Sequence, residues 1–449
     1  MQQRHHRVAL LDEQRGAVLV VPDGEGGWRL PRHPERWADH PDLVAAAGAA
    51  AATAYLEVPP HREEDGTITN VLVGDGTSAL PDAEWWPLAD LGGAGVSEAA
   101  LARVTALLAE RAALRAGAPL PDDGRPSWYL PGWRDDVEAW VDAVGEEHGF
   151  ARRGAPEAMK IWMLSAVLRF PVERDGKPAD LWFKATCEGF RTEPALTRAV
   201  AGLAPDLVPT IVGVDAARAW LLMEPLPADQ DARPDRAPAV ARALARLQLD
   251  ARGANAALLL SGAPDRGLTG TLAGLRACIH DSVEADAMGE ELRHEAAESE
   301  EWLADRLREL WAWGLPDTLS HGDLHLGNVA WDGERPVFYD WTDTCLTHPF
   351  FDARHLADSA ADECADDADK EAARAAVWEA YAEAWRAAYP DLDLDAVWAQ
   401  VRLAEAVFQM ISYENIARAQ TPDTRWELSG VVTRTLATLC RMRREALAG

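Results

Sequence analysis

Cysteine is scarce. The five in the chain, Cys187, Cys278, Cys345, Cys364 and Cys440, are scattered without the spacing of a metal site or a disulfide framework. That distribution points to a reducing, cytoplasmic compartment. Long apolar runs are missing too. No stretch reaches the about 18 apolar residues of a membrane span, so no membrane crossing is expected. Nor does an apolar core follow Met1-Gln-Gln-Arg-His-His, so no secretory leader is expected. Basic charge is in deficit: 44 Lys and Arg against 74 Asp and Glu leave a formal charge of −30. Such a balance disfavours nucleic acid or an anionic membrane as partner. It is compatible with a cationic small molecule, and equally with simple solubility in an acidic proteome. Internal repeats and extended heptads are absent.

At 449 residues and 48% apolar content, the chain can bury cores for two or three domains. Residues 116–126, with three prolines and two glycines, read as a linker. The most informative stretch is 321–341, which opens His321-Gly-Asp-Leu-His-Leu-Gly-Asn. Asp332-Gly333 lies between the apolar runs Val329-Ala-Trp and Pro336-Val-Phe-Tyr, a hairpin signal. A hairpin there returns Asp340 to the neighbourhood of Asn328. Asp323, Asn328 and Asp340 would then supply two carboxylates and an amide oxygen, hard ligands that suit Mg²⁺.

Protein kinases carry an Asp as catalytic base, an Asn five residues on, and a second Asp after a short hairpin. Here the loop begins His-Gly-Asp, and Asp340 is followed by Trp341. That variant resembles the aminoglycoside phosphotransferase family of small-molecule kinases, over about residues 127–449. The resemblance implies an α+β, bilobal protein-kinase-like fold: an N-lobe with a leading helix over 127–226 and a helical C-lobe over 227–449. It implies ATP and Mg²⁺ as cofactors and a small-molecule hydroxyl as phosphate acceptor, with aminoglycosides, amino sugars and amino alcohols all open. Asp323 would be the catalytic residue that accepts or orients the hydroxyl proton. Asn328 and Asp340 would hold the metal between the β- and γ-phosphates.

The resemblance extends to the first lobe. Lys184 stands in the apolar run Leu181-Trp-Phe-Lys-Ala, where an ammonium is costly unless it meets an anion. In kinase-like folds this lysine meets the nucleotide phosphates and a helix glutamate, here Glu193. No GxGxxG precedes it. Trp162-Met-Leu-Ser-Ala-Val-Leu takes that place, with Ser165 as the candidate phosphate contact. Glu224 and Leu226 occupy the hinge position, where extended backbone pairs with adenine. His321 and His325 are expected to brace the loop, and Asp352 to tie it to the following helix. Asp343 has three open readings: a substrate contact, a second metal ligand or a turn cap. Residues 352–395 hold 13 acidic and 4 basic side chains. They read as solvated helix faces, or as a negative rim that draws in amines, with Val377, Tyr381 and Trp385 inward.

Among the expected elements are strands over 8–22, 67–73 and 161–171. Helices are expected over 42–56, 97–115, 238–249, 268–283 and 290–313. The order of elements in residues 1–115, with Gly-Trp-Arg-Leu-Pro and Trp-Trp-Pro-Leu, looks like a small α/β Nudix hydrolase domain. That family needs a helix bearing glutamates that hold Mg²⁺ on a diphosphate. At the matching place stands Leu43-Val-Ala-Ala-Ala-Gly-Ala-Ala-Ala-Ala-Thr-Ala, which offers no ligand, so hydrolysis there is expected to be lost. An unrelated accessory domain is the other reading. Two alternatives to the kinase remain: a catalytically silent nucleotide-binding or regulatory module, and an active Nudix-type hydrolase.

Overall fold

Alternating apolar residues at the start of the chain favour paired strands. In a computed structural model of the chain, His6–Asp12 and Ala17–Pro22 form an antiparallel pair, with Leu11 opposite Val18. The structure describes residues 5–35, 38–51, 53–94, 96–422 and 424–448. It is α+β and divides into two compact units. The first holds residues 1–188, 220–222 and 420–427; the second holds 189–219, 223–419 and 428–449.

The first unit contains two sheets. In one, the central strands His6–Asp12 and Ile68–Gly74 run parallel. Its core packs Leu11, Val18, Val20 and Val71 with Val104 and Leu107. The last two lie on the helix Glu98–Arg115. Ser97 caps that helix by accepting from the Ala100 N–H at 3.2 Å. The expected helix over 42–56 is much shorter, His40–Ala46. It stops because Gly48 turns left-handed (φ +61°), and a Cβ there would lie 2.8 Å from Leu80 Cγ. The alanine tract therefore bends away, and Tyr55–Leu56 pairs as a strand with Ile68–Gly74. The sole carboxylate of the short helix, Asp42, accepts the Asp39 N–H at 3.0 Å and so closes the helix start.

In the second sheet the order is Glu157–Ile161, Ser165–Arg174, Lys177–Thr186, Trp220–Met223. Asp175 and Gly176 both have positive φ (+53° and +70°), the requirement of a tight two-residue hairpin turn. The expected single strand over 161–171 is two strands instead. The chain reverses at Trp162, whose N–H donates to the Ser165 carbonyl at 3.1 Å. An all-apolar run such as Ile161-Trp-Met-Leu hides a turn, because its side chains can be buried on either side of it. One face of this sheet carries Phe183. It packs edge-on against Trp133 and Trp140, at 5.9 and 6.0 Å between ring centroids. Both belong to the helix Trp133–His148, whose Val137, Val141 and Val144 are buried as their spacing requires. Trp133 also meets Tyr55 of the first sheet at 6.3 Å. One indole thus touches both sheets.

The second unit is mostly helical. The helix Ala237–Ala251 extends the expected one by about a residue or two at each end, within the usual scatter of such boundaries. Leu268–His280 and Ala285–Trp311 follow, the latter bent where Gly289 takes φ +72°. Phe350–Asp362, Asp367–Ala388, Leu394–Ala419 and Val431–Ala448 complete it. Val377, Tyr381 and Trp385 are buried in its core beside Phe350 and Phe408. No described helix is long and apolar enough to cross a membrane.

Truncating Trp133 removes an indole that bridges two sheets and leaves a cavity. Trp133→Ala is expected to cost roughly 3–5 kcal/mol, read as a lower midpoint in urea unfolding followed by tryptophan fluorescence. A midpoint within about 0.5 kcal/mol of wild type would contradict this packing.

Candidate active site

The loop 321–328 lies in the second unit between two short pairings. The strand Thr318–Ser320 enters it and pairs antiparallel with Cys345–Thr347, so both ends of the segment are tied together. After the loop, Val329–Asp332 and Arg335–Phe338 form the expected hairpin, turning at Gly333 (φ +65°). The Tyr339 N–H then donates to the Asn328 carbonyl at 3.1 Å. This bond brings Asp340, the next residue, back beside Asn328. Asp340 takes left-handed backbone angles (φ +66°, ψ +62°) and opens a single helical turn, Trp341–Asp343. A non-glycine residue held there is strained, and such strain collects at functional sites.

Buried polar groups fix the loop. Asp352, in the first turn of the helix Phe350–Asp362, is buried. Its carboxylate accepts the Ser320 hydroxyl at 2.8 Å, the His321 N–H at 2.8 Å and the Gly322 N–H at 2.9 Å. His321 donates from Nε2 to the Tyr339 carbonyl at 3.0 Å, and its ring lies 4.6 Å from that of Trp341. Burial pushes the His321 pKa down and outweighs the nearby carboxylates, so the ring is a neutral brace. His325 Nδ1 accepts the Gly327 N–H at 3.0 Å. Gly322 has φ +85°, and a Cβ on it would fall 2.2 Å from the Asp343 carbonyl oxygen, so only glycine fits.

The side chains of the candidate site follow. Asn328 donates its Nδ2 to the Asp323 carbonyl at 2.9 Å and approaches Asp323 Oδ2 at 3.4 Å. Its amide oxygen is thereby kept as the group available to a cation. Asp323 Oδ1 lies 3.2 Å from His355 Nε2, and His355 Nδ1 lies 3.3 Å from Glu405. Burial acts to lower the His355 pKa, but the hydrogen bonds to Asp323 and Glu405 outweigh it and raise the pKa to about 10. The Thr342 hydroxyl lies 3.1 Å from both Asp340 Oδ1 and Asp343 Oδ2, and can donate to one at a time. Burial, then the charge of Asp323, push the Asp343 carboxyl up to about 7, against the pull of Arg266. Arg266 bonds Ser412 Oγ and the Phe408 carbonyl, each at 2.7 Å, and stacks on the Phe408 ring. A cavity of about 130 Å³ opens beside these groups, lined by Arg266, Thr342, Asp343, Ser412 and Asn415 among others. Among the described residues no group of three His, Cys, Asp or Glu could hold a metal alone. The donor set of Asn328 and Asp340 fits Mg²⁺ nonetheless, because that ion usually takes one or two protein ligands plus water and phosphate oxygens.

Asp323, Asn328 and Asp340 are thus assembled by one loop and one hairpin. Glu193, buried at the start of the helix Glu193–Leu203, also belongs to the second unit, as do Glu224 and Leu226. The Glu224 N–H donates to the Thr210 carbonyl at 2.9 Å, and residues 224–227 lie outside any strand or helix. Lys184 and Ser165 lie in the first unit. Lys184 is buried, 8% exposed, on an interior strand rather than an edge. It sits opposite Val167, and Ser165 opposite Thr186, so both project from the same sheet face. The Ser165 hydroxyl accepts the Trp162 indole N–H at 2.8 Å. Sequence reasoning missed His355, Glu405, Gln409 and Arg266. No motif marks them; they reach the loop only through packing of distant helices.

Residues 174–393, just under half of the chain, match the family model described as the phosphotransferase enzyme family, APH. That stretch contains both Lys184 and the whole loop-and-hairpin segment. Among solved structures, the chain is similar to a macrolide 2′-phosphotransferase from Brachybacterium faecium, at 17% identity and a TM-score of 0.46, covering 65% of this chain and 97% of that one. It is also similar to a choline/ethanolamine kinase family protein from Mesorhizobium loti, at 17% identity and a TM-score of 0.43, covering 69% and 99%. No curated protein matches the chain in sequence.

Two outcomes are expected. Gly322→Ala forces a side chain into the Asp343 carbonyl and into left-handed backbone, and should lose more than about 2 kcal/mol in urea unfolding; wild-type stability would contradict the close approach. Asp343 has its carboxyl raised in the fold, to about 7. Between its ordinary range and that value the folded chain binds more protons than the unfolded one, so its contribution falls as pH rises through this window. Thermal melts from about pH 5 to pH 8 should therefore show Asp343→Asn gaining on wild type as pH rises; parallel curves would contradict the raised carboxyl.

Proposed function

We propose that the chain is an ATP-dependent phosphotransferase that moves the γ-phosphoryl group of ATP, as its Mg²⁺ complex, to a hydroxyl of a small molecule. The observation that carries the reading is the return of Asp340 to Asn328 across the Tyr339–Asn328 bond, five residues beyond Asp323. The match of residues 174–393 to a phosphotransferase family supports it. Phosphoryl transfer asks mainly for alignment and charge neutralisation. Asp323 accepts or orients the proton of the acceptor hydroxyl. Asn328 Oδ1 and the Asp340 carboxylate would hold Mg²⁺, which would supply charge neutralisation for the phosphates. Lys184 serves the nucleotide phosphates, with Ser165 on the same sheet face as a further phosphate contact; Glu193 is the helix glutamate that the kinase pattern assigns to this lysine. Backbone at Glu224 and Leu226 serves the adenine. In this reading 127–226 and 227–449 are the two lobes, and 1–115 is a Nudix-like accessory domain without hydrolase activity. The excess of acidic groups is compatible with a cationic acceptor such as an amino sugar, aminoglycoside or amino alcohol. A hydrolytic role for the N-terminal domain is disfavoured because Asp42, the one carboxylate of its short helix, is spent on capping.

Asp323→Ala should abolish acceptor-dependent ADP release in a coupled assay over amino sugars, aminoglycosides, amino alcohols and nucleosides. The loss should be roughly a hundredfold or more, with nucleotide binding retained. Turnover equal to wild type would remove Asp323 from the chemistry. Asp340→Ala should raise the Mg²⁺ concentration needed for half-maximal turnover by roughly tenfold or more, and an unchanged Mg²⁺ requirement would speak against its metal role.

A further inference from the structure

The catalytic loop is held at two places by one helix. Asp352 holds its backbone. Three residues on, and therefore on the same face, His355 reaches the Asp323 side chain. Its Nε2 lies 3.2 Å from Asp323 Oδ1. The other ring nitrogen lies 3.3 Å from Glu405 Oε1, on the helix Leu394–Ala419. From the same helix, Gln409 donates to the Gly322 carbonyl at 3.1 Å, one residue before Asp323. The two oxygens of Asp323 therefore have different surroundings. Oδ1 has the imidazole. Among the described residues Oδ2 has only long contacts, to Asn328 Nδ2 at 3.4 Å and His325 Nε2 at 3.7 Å.

We propose that His355 is a positioning residue that pins Oδ1 of Asp323, so that Oδ2 is the oxygen that receives the acceptor's proton. The proposal rests on the phosphotransferase reading of Asp323. In the step, the acceptor oxygen bonds to the γ-phosphorus as the bond from that phosphorus to the β,γ-bridging oxygen breaks. The electron pair of the broken bond leaves with ADP, and the hydroxyl proton passes to Oδ2. With Oδ1 held, the carboxylate cannot rotate, and one lone-pair direction faces the incoming hydroxyl. Two carboxylates flank the ring, so it is the imidazolium that satisfies both, with two N–H donors for two acceptors. The titratable groups facing His355 are Asp323 and His325 from the loop and Glu405 from the long helix. On its own helix, Arg354 is engaged by Asp358 at 2.8 Å. The loss of a partner that orients a reacting group typically costs roughly 10–100-fold.

The test uses the full chain with Mg²⁺, ATP and whichever acceptor turns over. His355→Ala is expected to lower kcat roughly 10–100-fold while KM for nucleotide stays within about twofold. A ring signature accompanies it. In ¹⁵N spectra of the wild-type chain, both nitrogens of His355 should carry protons at about pH 8, well above the ordinary histidine range of roughly 6.5. Asp323→Asn should return the ring toward its ordinary titration, which a merely structural histidine would not do. Wild-type turnover with an unchanged kcat in His355→Ala would overturn the role of His355 alone. A neutral His355 ring at that pH would do the same. No turnover by the wild-type chain with any acceptor would instead overturn the reading beneath it.

Discussion

One carboxylate holds the centre of the second unit together. Asp352 is buried, and it remains favourable there because its oxygens accept from Ser320, His321 and Gly322, with Gln248 Nε2 a longer donor at 3.4 Å. Those three donors are the end of a strand and the first two residues of the loop that carries Asp323. Removing the acceptor would take away the partner of the buried His321 N–H, at a cost of about 1–3 kcal/mol, and leave the Gly322 N–H with only the Ser320 Oγ at 3.2 Å. The helix and the loop thus specify each other. The candidate site is hung from that contact: Asp323 follows directly, Asn328 donates back to Asp323, and Asp340 returns through Tyr339.

The same region concentrates charge. Burial, and then the nearby charges of Asp323 and Asp340, raise the proton affinity of Asp343. His355 and Arg266 offset part of this within the protein. The remainder suits a divalent cation and a polyphosphate entering together, since the ion's charge then answers the carboxylates and the phosphates at once. The strained backbone of Asp340 belongs to this picture. A left-handed aspartate ahead of a single helical turn is costly, and it persists because the hairpin and Trp341 over-determine it.

Local chemistry was legible in the sequence where a short stretch dictates its own structure. Asp332-Gly333 announced the hairpin, Val137, Val141 and Val144 announced a buried helix face, and Ser97 announced a helix start. The failures have physical reasons. The alanine tract after Leu43 has high helix propensity, yet Gly48 packs against Leu80 and tertiary contact wins. Ile161-Trp-Met-Leu looks like strand because buried apolar residues fill both a strand and the tight reversal that ends it. His355, Glu405 and Arg266 reach the loop from 32, 82 and 57 residues away along the chain. No local pattern encodes such meetings; only packing of the helices creates them.

The central claim is that Asn328 and Asp340 together form one cation site that engages nucleotide phosphates. Electron paramagnetic resonance with Mn²⁺ in place of Mg²⁺ tests it directly, using a non-hydrolysable ATP analogue. A broadened, bound Mn²⁺ spectrum is expected only when chain and nucleotide are both present, and the Asp340→Asn chain should fail to produce it. A Mn²⁺–nucleotide spectrum unaltered by the wild-type chain would contradict it.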